Sequence, residues 1–331
     1  MSNNVAKIIT DTILEKMKNT EEGQMFRWVK PWNSGIDRAY SYETMVPYRG
    51  INRLLLDNNL YITHNAVQRI NDKKDSPQYQ IRKGAKSNMV CYYNTTPVKD
   101  EETGEPMIDE ETGLPLKRGF LKYYRVFSRE DIVRRDNGEC LPSKIEVEHF
   151  SHEDATEQMR QALDRFNRLF NYYCEKNGIE VQIVQDGTQA YFSHNMKIRV
   201  PDISNFNSIY NWVHTVAHEM AHSSGMLLGR FNDQEPQEIE DAMKSYSKEE
   251  LIAEITAEML CAELHIPDDS ETSDNVYAYI NGWSSHLKDR PTEIVSAAAK
   301  AETACELIME HLREMELEEQ KLTNEHYEEE R

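Results

Sequence analysis

Cysteine is sparse in this chain and never paired. Cys91, Cys140, Cys174, Cys261 and Cys305 are scattered over 331 residues with no C-x-x-C spacing. That excludes a disulfide framework or a cysteine zinc site and points to thiols in a reducing compartment. Long apolar runs are also missing, and so is a signal-peptide pattern, so a cytoplasmic protein with no membrane partner is expected. Positive charge is the third shortage. Lys+Arg number 38 against 58 Asp+Glu, a net charge of −20, which on its face argues against a polyanionic partner. The shortage is uneven, however. Residues 1–135 hold 22 basic and 18 acidic side chains, whereas residues 136–331 hold 16 and 40. Within the first part, residues 98–118 alone carry 7 of the acids. Such a split suggests two parts with different partners.

What is present is led by His218-Glu219-Met220-Ala221-His222, an H-E-x-x-H pattern inside a segment of helical character. On a helix, positions i and i+4 share a face, so two imidazoles so spaced can grip one zinc ion, with Glu219 placed as general base. Ile209, Trp212, Val213, Val216, Ala217, Met220 and Ala221 surround the pair with apolar residues. The helix is therefore expected to be buried, and buried histidines need partners. Asn207 or Ser208 can cap its start, and Gly225 is placed to end it.

A catalytic zinc needs a third protein ligand. Downstream, Ser247 and Glu250 read as an S-x-x-E capping box starting a helix near Lys248, which gives Glu250 a structural task. Glu254, one turn further in and flanked by Leu251, Ala253, Ile255 and Ala257, is the expected third ligand, because a carboxylate in apolar company needs a partner. Glu258, another turn on, is expected to accept from the outer nitrogen of a ligand histidine. His214, His265 and His286 are rival donors to the metal. Tyr246 and His286 are candidates for stabilising an oxyanion.

A first helix is expected over residues 4–18, strands at 89–93, 121–127, 181–184 and 197–200, and a helix from a box at Ser151 to Asn177-Gly178. Between the first two strands lies an acidic echo, Asp100-Glu-Glu-Thr-Gly-Glu-Pro106 and Asp109-Glu-Glu-Thr-Gly-Leu-Pro115, which reads as a solvent-exposed hairpin extension. The first part also combines aromatic and basic residues, the two things that hold single-stranded nucleic acid. Trp28, Trp32, Tyr48, Tyr92 and Tyr93 are possible stacking platforms. Lys30, Arg49, Arg53, Arg82, Lys83 and Lys86 are possible phosphate contacts.

Several motifs stand in a familiar order: Trp28-Val-Lys-Pro-Trp32, Pro47-Tyr-Arg-Gly-Ile-Asn52, Arg82-Lys-Gly84, Tyr124-Arg-Val-Phe127, the His218–His222 pattern with Ser224-Gly225, Glu249-Glu-Leu-Ile-Ala-Glu254 and Tyr279-Ile-Asn-Gly-Trp283. Over nearly its whole length the chain resembles the ArdC-like antirestriction proteins of plasmids, phages and other mobile elements. The resemblance implies an α+β fold in two domains. One is a small N-terminal domain binding single-stranded DNA over 1–135, with the acidic insertion at 98–118. After a linker at 136–150, the other is a mostly helical zincin-like metallopeptidase domain over 151–309. An acidic tail at 310–331 is expected to be helical or disordered. It also carries zinc ligation onto His218, His222 and Glu254 and the general base onto Glu219. The protein substrate stays unspecified. Two alternatives remain open: a non-proteolytic DNA-coating protein with a structural zinc, and a DNA-associated protease specific for one target.

Overall fold

A computed structural model describes residues 2–18, 38–57, 59–73, 76–100, 103–108, 115–145, 155–185, 187, 189–231, 239–267, 287–288 and 290–329. In the N-terminal half, α1 (Ser2–Lys18) buries Ile9, Ile13 and Leu14. The strands β1 (Tyr40–Ser41), β2 (Leu60–Ile62), β4 (Asn88–Pro97) and β5 (Lys117–Ser128) make one sheet in the order β1-β2-β5-β4. Helices α2 (Ile51–Leu55) and α3 (His64–Asn71) accompany it, and β3 (Tyr79–Ile81) pairs with β6 (Ile132–Arg134). The β4–β5 hairpin runs in continuous antiparallel register from Asn88↔Val126 to Pro97↔Lys117. Both strands are longer than expected, because tyrosine and threonine at 92–96 suit a pleated surface and carry the pairing toward the acidic loop.

The C-terminal half opens with α4 (Ala155–Lys176), which ends at Gly178 (φ +65°), where the Ile179 amide donates to the Cys174 carbonyl. A three-stranded sheet follows, β7 (Glu180–Val184), β9 (Lys197–Pro201) and β8 (Tyr191–Ser193), with β9 in the middle. Next come α5 (Ile209–Leu227), α6 (Ile239–Glu263) and α7 (Glu293–Glu329).

Two expected helix boundaries are corrected. Gly225 does not end α5, which continues to Leu227, and Gly229 (φ +69°) takes that position. A Cβ on Gly225 would stand 2.6 Å from the Phe231 ring, so this glycine permits close packing. The Ser247 box does not start a helix either. It lies inside α6, because the good helix formers upstream extend the helix back to Ile239. At the far end, α7 runs on through the acidic stretch, and Arg165, Arg168 and Lys176 of α4 pair with Glu316, Glu319 and Glu318.

The largest core is shared by both halves. Ile9, Ile13, Leu54, Leu55, Met89 and Cys91 pack in the same cluster as Phe166, Val213, Leu251, Ala298 and Ile308. Polar ties reinforce it. The Thr10 hydroxyl donates to the Pro291 carbonyl at 2.8 Å, and the Gly50 amide to Glu302 at 3.1 Å. Gly50 is in the left-handed region (φ +56°) and lies against the α7 backbone at Ala298 and Ala299. Asn52 makes a buried pair of hydrogen bonds with the Cys91 amide and carbonyl, at 2.7 and 2.8 Å. None of the helices described is long and apolar enough to cross a membrane.

Candidate metal centre

Helices α5 and α6 lie against each other and bring two ladders of side chains face to face. His214, His218 and His222 recur every fourth residue on α5, and Glu250, Glu254 and Glu258 do the same on α6. The Ser208 side chain caps α5 by accepting from the Asn211 amide. Tyr173 of α4 braces α5 through a 2.9 Å hydrogen bond to Ser223.

The Nε2 atoms of His218 and His222 stand 3.1 Å apart, and each lies 3.4 Å from a Glu250 carboxylate oxygen. A tetrahedron whose corners are about 2.0–2.1 Å from its centre has edges of roughly 3.3–3.4 Å, so these three donors fit one zinc-sized ion. Glu254 does not join them. It faces the other side of His218, 3.2 Å from Nδ1. Of the two glutamates, Glu250 rather than the expected Glu254 is the one that stands beside both Nε2 atoms. Helix α6 begins earlier than the capping box implied, which frees Glu250 from a cap and turns it toward both histidines.

Carboxylates face both outer nitrogens. Glu254 serves His218, and Glu249 lies 3.7 Å from Nδ1 of His222 while being clamped by Arg230 at 2.6 Å. Arg230 also donates to the Ala221 carbonyl and the Ser224 hydroxyl, fixing Glu249 relative to α5. Glu258 does not serve a ligand histidine as expected. It accepts from the Tyr210 hydroxyl and faces His214, one turn from the pair.

Burial alone would depress the pKa of His218, but hydrogen bonding to Glu250 and Glu254 outweighs it and pushes it up to about 10. His218 and His222 in turn hold Glu250 below its ordinary value despite burial. Glu219 goes the other way. It is only 6% exposed, and burial raises its pKa against the pull of His218, His222 and the Phe192 amide. A carboxylate raised in this way is suited to taking a proton near neutral pH. Tyr246 lies on α6 one turn before Glu250. His286 lies outside the described residues.

The expected nucleic-acid contacts separate into three groups. Trp28, Lys30 and Trp32 lie outside the described residues. Arg53 is corrected: its side chain is 3% exposed and pairs with Glu263 and Glu302, so no phosphate reaches it. Arg49 is exposed but paired with Glu306 and Glu302, and Arg82 donates to the Glu130 carbonyl. Lys83 and Lys86 are exposed. Tyr48 is half-buried, edge-on to Tyr61 and hydrogen-bonded to Tyr124. The β4–β5 hairpin adds exposed aromatics, Tyr92, Tyr93, Tyr123 and Tyr124, with Lys122 and Arg125 beside them. The run Lys122-Tyr-Tyr-Arg125 on β5, polar and aromatic without a break, was the sequence signal for the last four.

Residues 3–127 match the model of the N-terminal domain of anti-restriction factor ArdC, and residues 172–300 match a zincin-like metallopeptidase. The crystal structure of the antirestriction protein ArdC from plasmid R388 in metal-free form is 27% identical, with a TM-score of 0.61, covering 94% of this chain and 98% of that one. The chain is an ArdC-like protein. The Mn(II)-bound form of the R388 protein is 25% identical with a TM-score of 0.56, covering 93% of this chain and 98% of that one. The two-domain α+β architecture is shared, and the zincin-like domain implies a metal. A DNA primase TraC of Escherichia coli is 24% identical over 92% of this chain, and the match spans 27% of that protein's length.

Proposed function

We propose that this ArdC-like chain is a metal-dependent peptidase acting in association with single-stranded DNA, in an antirestriction role. The observation that carries the peptidase reading is the triangle of His218, His222 and Glu250 beside the buried carboxylate of Glu219. Zinc fits the edge lengths; manganese, the ion bound to the R388 protein, is the other choice. The ion so held supplies Lewis acidity toward a peptide carbonyl and toward water. Glu219 takes the proton from the attacking water and passes it to the leaving amine. The Phe192 amide orients the Glu219 carboxylate. Glu254 accepts from Nδ1 of His218, which fixes the tautomer that would present its Nε2 to the ion, and Glu249, clamped by Arg230, stands on the Nδ1 side of His222.

The exposed hairpin aromatics support the nucleic-acid side of this reading. Tyr92 and Tyr124 sit diagonally across the hairpin with ring centroids 6.0 Å apart, and Lys122, opposite Tyr92, lies on the same face. Aromatic platforms beside cations are what unpaired bases and their phosphates require. The test is digestion of casein and of DNA-bound protein by wild type and Glu219→Gln. The variant should keep its metal and lose roughly 10²–10⁴-fold in rate. Equal cleavage by both proteins would refute the assignment.

A further inference from the structure

The upper rungs of the two ladders form a second cluster, of which the peptidase reading uses only one oxygen of Glu254. His214 Nε2, Glu254 Oε1 and Glu258 Oε1 converge, with the histidine nitrogen 3.7 Å from the first oxygen and 3.5 Å from the second. The three donor atoms all lie within 4.8 Å of one another. Each carboxylate has its second oxygen engaged from behind. Glu254 Oε2 is held by His218 Nδ1 at 3.2 Å, and Glu258 Oε2 by the Tyr210 hydroxyl at 3.2 Å. The Oε1 atoms are thereby turned toward His214. The imidazole is itself oriented by the Tyr210 ring, stacked against it at 5.9 Å.

His214 Nε2 is sealed from solvent yet makes no hydrogen bond with any described residue. A buried polar nitrogen without a partner is costly, and so are two carboxylates held together at low exposure. A proton shared between His214 and Glu258 would draw the two atoms to about 2.7–2.9 Å. Instead the histidine nitrogen stands 3.5–3.7 Å from each of the two oxygens, close to the roughly 3.3–3.6 Å edge of a tetrahedral site whose donors lie about 2.0–2.2 Å from an ion. One imidazole with two carboxylates is a donor set for manganese, iron or zinc.

We infer that His214, Glu254 and Glu258 form a second divalent-cation site, joined to the first through Glu254. One oxygen of that carboxylate would bind the second ion while the other orients His218. The site uses donors distinct from His222 and Glu250, so it does not depend on the first being filled.

The test is metal counting on the full chain. Purified protein is stripped, then equilibrated separately with Mn²⁺ and Zn²⁺, and the bound ion is measured by elemental analysis and titration calorimetry. Wild type should bind two equivalents. His214→Ala and Glu258→Gln should each bind one, His222→Ala one, and the His214→Ala/His222→Ala double variant none. Circular dichroism and a thermal melt establish that each variant is folded, and the isosteric Glu258→Gln guards against a packing defect at His214. A single equivalent in wild type that is lost in His222→Ala and kept in His214→Ala would overturn the second site and leave the first standing. A single equivalent lost in His214→Ala and kept in His222→Ala would do the opposite, supporting the second site and removing the first.

Discussion

At the scale of single residues, the clearest consequences lie where charge is buried. Arg53 is enclosed with Glu263 at 2.9 Å and Glu302 at 3.6 Å. Arg38 also pairs with both carboxylates, at 2.5 and 3.5 Å, so removing the Arg53 guanidinium weakens the cluster without stripping it of positive charge, and Arg53→Ala should destabilise the fold by about 1–3 kcal/mol, read as a drop in urea midpoint. The thiols give a second prediction. Burial pushes Cys91, Cys174 and Cys305 up to about 12 from an ordinary value near 9. The folded chain therefore keeps protons that the unfolded chain releases, and stability should fall as pH rises from about 9 toward 12. Urea unfolding at pH 8 and at a strongly alkaline pH measures this, and a triple Cys→Ala variant should show a shallower fall. Cys140 is exposed, and at pH 8 it should react with a maleimide well before these three.

Secondary-structure elements show what could be read in advance. The periodic apolar face of α1, the Gly178 stop of α4 and the HExxH spacing on α5 are local patterns, and each was legible. The third ligand was not. Whether Glu250 or Glu254 meets the histidines depends on where α6 lies against α5, and that is settled by packing far apart in sequence. The same limit applies to Arg53, which looks like a phosphate contact until Glu263 and Glu302 fold over it. Three-residue β8 carries too little pattern to be seen. The cap of α5 is a local feature with a measurable effect. Ser208→Ala should cost about 1 kcal/mol and Ser208→Asp should retain most of it, as judged by chemical denaturation.

On the scale of the whole molecule, the uneven charge governs how a polyanion would be met. The acidic excess sits in residues 136–331, while Lys83, Lys86, Lys122 and Arg125 are exposed in the first part. Binding of a fluorescent oligothymidylate should weaken steeply with salt. Lys83→Ala with Lys86→Ala should make the log–log slope shallower by roughly 1.4, given about 0.7 per neutralised phosphate on a single strand. An unchanged slope would remove these lysines from the binding face.

The core described above does not respect the midpoint of the chain. Helix α2 packs on α7, and α1 and the hairpin belong to the same apolar cluster as α4–α7, so a cut between the halves would expose apolar surface on both. The TraC match spans both halves: 92% of this chain aligns within a much longer polypeptide.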